Sequence, residues 1–296
     1  MDFERTIDSP VEASGIGLHS GVKVRMRLLP ARAGKGVVFS RTDLDSFELP
    51  AVARHIARVS YATSLMRQGV LLSTTEHLLS VFYSLGIDNA RVEINNLELP
   101  ILDGSGKPFV ELIRKAGVRE LSRPRTYLRI VKSIGVREGK KTIVIHPADH
   151  FAITCETDYG HALAGRQTLE MVVTPERYAR EIAPARTFGF ERDLDRMRDM
   201  GLIRGASLEN AVCFEPNGVL NPEGLRFPDE CCRHKVLDLI GDLALLGRPL
   251  LGHVVAEHAG HAMHTALVKQ ILSDASCYEL VHSDQLASKL LHAEAV

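Results

Sequence analysis

A histidine and two aspartates recur at every fourth position of one apolar segment. His234, Asp238 and Asp242 stand at i, i+4 and i+8, and in a helix each four-residue step drifts by only about 40°. The three side chains therefore form one stripe on a predicted helix. The other face is apolar and carries Val236, Leu239, Ile240 and Leu243. An imidazole and a carboxylate one turn apart can bind one metal ion, although this segment alone also fits a solvated face with an ordinary i,i+4 ion pair.

A second segment places a carboxylate beside a histidine, at Glu76 and His77. Residues 73–76 have the form of a capping box, which predicts a helix start and gives Glu76 a purely structural alternative role. A hydrolytic zinc site needs three protein ligands, an open position and a carboxylate that takes a proton from water. His77, His234 and Asp238 would supply the ligands, and Glu76 could be the base.

His261 begins another amphipathic segment, and Asp242 lies one turn beyond the ligand stripe. A carboxylate bonded to a histidine keeps the imidazole cationic and oriented. Such a cation near a metal can stabilise an oxyanion or protonate a leaving amine. The alternative is that both are ordinary surface residues.

The elements that must position these residues form two similar halves. Residues 22–28 alternate apolar and basic side chains, which is typical of a half-buried strand. Strands followed by two helices, twice, indicate an α+β protein with two domains, 1–122 and 127–296, joined by a polar linker at 122–125. Residues 189–224, with a helix and a short strand, are interpreted as an insertion. The elements predicted for the second half are strands at 127–132, 142–146 and 151–157 and helices at 229–246 and 260–274.

The composition excludes several classes of protein. The 296 residues carry a net charge of -1 and only 5% aromatic side chains, so we expect no nucleic-acid partner. No apolar run approaches the ~18 residues that a membrane span needs, and the acidic N-terminus has no apolar segment, so we expect neither a membrane span nor a signal peptide. The five cysteines follow no disulfide framework and predict reduced thiols, hence a cytoplasmic protein. No heptad seam is present, so a monomer is the default expectation.

Seven motifs occur along the chain, and their types and order are similar to those of one protein family. They are residues 14–21, 74–78, 99–105, 185–190, 224–230, 233–243 and 260–262. Together they resemble the zinc-dependent UDP-3-O-acyl-N-acetylglucosamine deacetylases of lipid A biosynthesis, over essentially the whole chain.

The resemblance implies two α+β domains, each a mixed or antiparallel sheet layered against two helices, with the active site between them. It implies one Zn²⁺ per chain, with Fe²⁺ as an alternative, bound by His77, His234 and Asp238. Glu76 would then be the general base. The substrate would be UDP-3-O-(3-hydroxyacyl)-N-acetylglucosamine, from which acetate is released.

Further roles also follow from the resemblance alone. Thr187, with the metal, would hold the tetrahedral oxyanion. His261, oriented by Asp242, would stabilise charge and protonate the leaving amine. Lys235 would lie by the diphosphate, and Phe188 would pack on the sugar or uracil.

The insertion would line an apolar passage for the fatty acyl chain. Its apolar residues Met197, Leu202, Ile203, Ala206 and Val212 agree with that role, and their alternative is a simple local core.

Three positions depart from the family's common pattern. Ala62 stands where a cysteine near the metal is common, and His258 where a lysine near the phosphate is common. A histidine is only partly charged at neutral pH, so diphosphate binding would be weaker or more pH-dependent. His264 replaces a common amide side chain.

Two other functions compete with the deacetylase. One is a different zinc amidohydrolase acting on a small polar amide, which gains nothing from an acyl chain. The other is a non-catalytic binder of nucleotide sugars or lipids, which has no need for a base such as Glu76 beside a ligand.

Overall fold

The computed structural model describes residues 2–57 and 59–285, so the ends of the two predicted domains at residue 1 and after residue 285 lie outside the described residues. The first half contains helices α1 (Glu76–Ser84) and α2 (Lys107–Ala116) and a 3-10 turn at Ala53–His55. Its strands are β1 (Phe3–Ile7), β2 (Val11–Ile16), β3 (Lys23–Pro30), β4 (Val37–Arg41), β5 (Phe47–Pro50), β6 (Leu65–Arg67), β7 (Val70–Leu72), β8 (Ala90–Ile94) and β9 (Val118–Pro124).

The second half follows the same plan with more strands. Its helices are α3 (Pro175–Arg177), which runs into a wider turn at Tyr178–Ile182, α4 (Glu191–Asp199), α5 (Glu230–Leu243), which continues as a 3-10 turn at Ala244–Leu246, and α6 (His261–Ser273). Its strands are β10 (Thr126–Ile130), β11 (Ile134–Glu138), β12 (Lys141–His146), β13 (Phe151–Thr157), β14 (Gln167–Val172), β15 (Phe188–Phe190), β16 (Val212–Glu215), β17 (Gly218–Val219), β18 (Leu250–Glu257) and β19 (Tyr278–His282).

Each half is built on a mixed sheet. The first sheet has the order β2-β3-β8-β4-β5, with β4 and β8 parallel and the other neighbours antiparallel. In β3, Val24, Met26 and Leu28 are buried while the alternating basic residues are exposed. The second sheet runs β11-β12-β18-β10-β19, and β13 joins it beside β18 with β14 on its outer side. The predicted α+β class and the predicted strands and helices of the second half are confirmed.

Contacts between helices bring the two halves together. α5 packs on β13 and β14, α6 packs on β11 and β12, and α1 crosses α5 at close range. The crossing depends on Gly241, because a Cβ there would lie 2.1 Å from the backbone oxygen of Glu76. The absence of a side chain lets the first turn of α1 approach the last turn of α5.

The predicted linker has regular structure. Residues 118–124 form β9, which pairs antiparallel with β1 at the start of the chain. Arg125 is buried and its guanidinium bonds to Asp88 at 2.8 Å and to Asp2 at 2.9 Å. The polar composition of residues 122–125 therefore reflects the ion-paired end of a strand. The domain limits 1–122 and 127–296 stay a prediction.

Within the described residues, no helix is long and apolar enough to cross a membrane. All five cysteines are buried and free, as the reduced-thiol prediction requires.

Candidate metal centre and active site

α1 and α5 bring the three predicted ligands together. His234 Nε2 lies 3.4 Å from Asp238 Oδ1, and His77 Nε2 lies 3.9 Å from the same oxygen. One ligand atom from each residue falls within 4.8 Å of the other two, and all three side chains are buried. Residues more than 150 positions apart in sequence therefore converge on one point.

The donor set suits a divalent cation such as zinc. Tetrahedral ligands at about 2.0–2.1 Å from zinc lie roughly 3.4 Å apart, close to the separations seen here. The Nδ1–H of His234 donates to the backbone oxygen of Ala185 at 3.0 Å, which leaves the Nε2 lone pair for a metal. His77 Nδ1 has no hydrogen-bond partner among the described residues.

The protonation of the three groups is also that of metal ligands. Burial lowers the pKa of His77 to about 3, with a further contribution from His234, and burial also lowers the pKa of His234. Burial acts to raise the pKa of Asp238, but Lys235 and the neighbouring histidines outweigh it and hold that pKa well below its usual range. Neutral imidazoles and an ionised carboxylate are the forms that bind metal.

Glu76 lies beside this cluster and does not form the predicted capping box. Thr75 at the start of α1 makes no side-chain cap. The Glu76 carboxylate instead accepts a hydrogen bond from Thr63 N at 3.0 Å. Burial raises the pKa of Glu76 to about 8, against the opposing effect of His261. A buried carboxyl near metal ligands with a raised pKa is suited to proton transfer near neutral pH.

His261 and Asp242 form a buried pair, so the surface alternative is wrong for both. The Nδ1–H of His261 donates to Asp242 Oδ2 at 2.8 Å, and the Nδ1–H of His264 donates to the same oxygen at 2.9 Å. Burial acts to lower the pKa of His261, but Asp242 and Asp238 raise it to about 9. A carboxylate oxygen of Glu76, one of Asp238 and a ring nitrogen of His261 lie within 4.8 Å of one another. A cationic imidazole and a carboxyl group of raised pKa thus flank the three candidate ligands.

Lys235 and Phe188 are adjacent at the edge of the site. Lys235 Nζ donates to Asp238 Oδ2 at 2.8 Å and lies 5.5 Å from the centroid of the Phe188 ring. Asp238 Oδ1 faces His77 and His234, so Lys235 neutralises charge on the other carboxylate oxygen, Oδ2. Lys235 also lines the cavity that opens over these residues.

Thr187 is held by backbone contacts on both sides. Its N–H donates to Gly104 O at 2.8 Å, and its own carbonyl accepts from Val212 N at 2.8 Å. The preceding residue, Arg186, is buried and forms an ion pair with buried Glu230 at 2.9 Å. These contacts fix Thr187 on the wall of the cavity.

A cavity of about 430 Å³ opens over the metal cluster and extends under the insertion. Among the predicted residues, its walls contain Glu76, His77, Thr187, Phe188, His234, Lys235, Asp238 and His261, together with Met197, Ile203, Ala206 and Val212. Further apolar residues of the wall are Leu18, Leu194, Leu208 and Leu220. An apolar cavity therefore lies where the acyl passage is predicted.

Two predicted substrate contacts and the buried partner Asp242 are not part of that wall. Leu202 and His258 are absent from the residues that line the cavity in the described chain. His258 has a positive φ of 52° and its Nε2 lies 3.8 Å from Glu156 Oε1, on the rim of the second sheet. Asp242 lies behind His261 and has no exposed surface.

The glycine-rich motif at 14–21, one of the seven family motifs, forms a turn that supports the site. Glu98 accepts hydrogen bonds from His19 N, Ser20 N and Thr74 Oγ1 and fastens this turn beside α1. Gly17 is required there, because a Cβ would lie 2.3 Å from Glu98 Oε2. The His19 side chain thereby reaches the cavity wall. The contact between Glu98 and His19 joins residues 79 positions apart, so no local pattern signalled it.

Thr63, Arg186 and Glu230 were also missed as supporting residues. Their roles depend on partners 13 to 179 positions away in the chain, and no local pattern predicts such pairings.

The groups gathered here are typical of metal-dependent hydrolases: two neutral imidazoles and a carboxylate, a separate base, and a carboxylate-held histidine. Residues 4–273 match the family model described as LpxC, UDP-3-O-acyl N-acetylglycosamine deacetylase, and the chain belongs to this family. The resemblance inferred from the motifs is thus confirmed.

Curated relatives cover almost the whole chain. A protein of Solibacter usitatus (strain Ellin6076), named UDP-3-O-acyl-N-acetylglucosamine deacetylase, is 68% identical over 293 residues, 99% of each chain. A protein of the same name from Myxococcus xanthus (strain DK1622) is 47% identical over 279 residues, 94% of this chain and 89% of that one. Another from Anaeromyxobacter dehalogenans (strain 2CP-C) is 44% identical over 278 residues, 94% of this chain and 90% of that one.

Proposed function

We propose that this protein is a zinc-dependent deacetylase of UDP-3-O-(3-hydroxyacyl)-N-acetylglucosamine, acting in the cytoplasm at an early step of lipid A biosynthesis. The observation that carries the proposal is the buried cluster of His77, His234 and Asp238 at the base of an apolar cavity, with Glu76 and His261 beside it. Family membership supplies the substrate class.

The reaction adds water across an amide bond. When bound by the three ligands, a divalent cation supplies Lewis acidity, which polarises the acetamide carbonyl and makes water more acidic. Glu76 accepts a proton from the attacking water as the new C–O bond forms. Thr187, fixed on the cavity wall, directs its hydroxyl to the carbonyl oxygen as that oxygen gains negative charge.

The C–N bond then breaks, and its nitrogen needs a proton to leave as an amine. His261 is cationic over the neutral range because Asp242 and Asp238 raise its pKa to about 9. It donates that proton through Nε2, since Nδ1 is bonded to Asp242. The products are acetate and the free 2-amine of the sugar.

The apolar cavity supports a role for the fatty acyl chain. Met197, Ile203 and Val212 line the same cavity as Phe188 and Lys235. Burial of an acyl chain there supplies binding energy remote from the reacting carbon, which can orient the acetamide. Lys235 is assigned to the diphosphate and Phe188 to the sugar or uracil.

The test is deacetylation of the acylated sugar nucleotide by the metal-free protein and after addition of one equivalent of zinc. The matched control substrate is the same sugar nucleotide without its acyl chain. We expect zinc-restored cleavage of the acylated substrate only. Glu76→Gln should retain zinc and lose most of the activity, because Glu76 is a base and not a ligand.

The other outcomes decide between the alternatives. Equal cleavage of both substrates would indicate a general zinc amidohydrolase and would contradict the acyl passage. No cleavage by folded, zinc-loaded protein would indicate a binding protein. Full activity in the Glu76→Gln variant would exclude the assigned base.

A further inference from the structure

Thr63 is a buried residue that contacts both groups assigned to proton transfer. It lies just before β6 and has no exposed surface. Its N–H donates to Glu76 Oε2 at 3.0 Å, and its hydroxyl donates to Asp242 Oδ1 at 2.5 Å. One residue of the first half therefore bonds to the base on α1 and to the carboxylate on α5 that holds His261.

The segment that carries Thr63 is fastened to the start of α1. The carbonyl of Thr63 accepts hydrogen bonds from Thr75 N at 3.2 Å and from Thr75 Oγ1 at 3.1 Å. Because Thr75 immediately precedes Glu76, the Thr63 backbone and the Glu76 carboxylate are fixed to the same point. The backbone of Thr63 thus needs no further partner to stay in place.

The Thr63 hydroxyl has one proton, and geometry directs it to Asp242. Thr63 Oγ1 lies 2.5 Å from Asp242 Oδ1 but 3.2 Å from His261 Nδ1, whose own proton goes to Asp242 Oδ2. Oδ2 also accepts from His264. Both carboxylate oxygens are therefore bonded, with Thr63 on one and the two imidazoles on the other, and the carboxylate cannot rotate without breaking one set.

We propose that Thr63 is a positioning residue that fixes the distance between Glu76 and His261, an inference that rests on the proposed function. Without the hydroxyl, Asp242 Oδ1 keeps no donor from the described residues of the first half, and the Asp242–His261 pair is free to shift relative to Glu76. Thr63 acts on substrate only through these groups, so it contributes to turnover and little to substrate binding.

The experiment removes the Thr63 hydroxyl and keeps the shape of the side chain. Thr63→Val removes the donor, while Thr63→Ser keeps it and removes a methyl group. Displacements near 1 Å from a productive geometry cost about 100-fold, so we expect Thr63→Val to lower kcat by about 10- to 100-fold with unchanged KM. Thr63→Ser should restore kcat to within about threefold of the unmodified protein.

The matched control is Thr142→Val. Thr142 is a buried threonine on β12, outside the cavity wall, whose hydroxyl also donates to a carboxylate, Glu257 Oε2, at 2.9 Å. We expect its kcat and KM to be unchanged. Zinc content and thermal unfolding are measured for all variants, and Thr63→Ala replaces Thr63→Val if the latter does not fold.

Three results would overturn the inference. They are full kcat in Thr63→Val, an equal loss in Thr63→Ser, and a loss of zinc that accounts for the loss of activity. Each leaves the proposed function standing, because that function is measured separately on the unmodified protein in the same assay.

Discussion

Three buried carboxyl groups in one site differ in protonation because their neighbours differ. Burial raises the pKa of Glu76 to about 8. Burial acts in the same direction on Asp238 and Asp242, but Lys235 and His234 lower the pKa of the former, and His261 and His264 that of the latter. At the residue scale, cationic or hydrogen-bonding partners decide which carboxylate is a fixed anion and which exchanges a proton.

The pH dependence of turnover follows from this difference. In the proposed reaction Glu76 acts when ionised, so we expect activity to rise with pH as Glu76 loses its proton. His261 would act when protonated, so we expect activity to fall as pH rises through the His261 pKa of about 9. Asp242→Asn removes a charge that raises this pKa, and we expect the alkaline limb of the kcat profile to move about 1–3 units toward lower pH.

The measurement is the pH profile of kcat for the zinc-loaded protein and for Asp242→Asn. Lys235→Met serves as a control, because Lys235 is not assigned to proton transfer and its loss should leave the alkaline limb in place. An alkaline limb at the same pH in Asp242→Asn would exclude His261 as the acid.

At the scale of elements, the crossing of α1 and α5 brings the three candidate metal ligands together. His77 lies in the first turn of α1, and His234 and Asp238 lie one turn apart on α5. The two helices can bring these donors within 4.8 Å only because Gly241 presents no side chain to the Glu76 backbone. A glycine that looks unfavourable in a helix interior is thus required by packing.

We expect Gly241→Ala to separate the two helices. The new Cβ would lie 2.1 Å from a backbone oxygen that cannot move independently of α1. Overpacking of this kind costs roughly 1–3 kcal/mol, and the shift moves His77 away from His234 and Asp238. Zinc affinity should fall together with stability, as measured by competition with a chelator and by thermal unfolding.

A Gly241→Ala variant that retains the zinc affinity of the unmodified protein would contradict this account. Circular dichroism of the same samples separates displacement of the helices from loss of their structure.

At the scale of the whole molecule, the two halves share one hydrophobic core. A single cluster includes Met26 of β3, Phe82 of α1, Ile240 of α5 and Val254 of β18. The candidate ligands are likewise divided, with His77 in the first half and the other two in the second. A bound cation would therefore connect the halves as well as serve the chemistry.

Metal removal should for this reason lower the stability of the whole chain. A ligand present at 100 times its dissociation constant stabilises the folded state by about 2.7 kcal/mol. We expect a chelator to lower Tm by several degrees and zinc to restore it. Asp238→Ala should show neither response and no deacetylation, whereas a zinc-dependent Tm in that variant would place the metal elsewhere.

The sequence by itself determined the elements and most of the chemistry. Helical periodicity at 234–243 placed His234, Asp238 and Asp242 on one stripe, and alternation at 22–28 marked a strand. The ordered motifs pointed to the family and to its site residues. These features are local in sequence, or depend on residue types alone, so no knowledge of packing was needed.

Only the tertiary structure decided which side chains touch. It replaced the capping box at Glu76 with a bond from Thr63, and it placed the residues of the predicted linker in a paired strand. It also put Asp242 behind His261 and left Leu202 and His258 outside the cavity wall. Such contacts join residues up to 179 positions apart. The contacts at the site also depend on how α1 and α5 cross at Gly241. No local pattern in the chain encodes either feature.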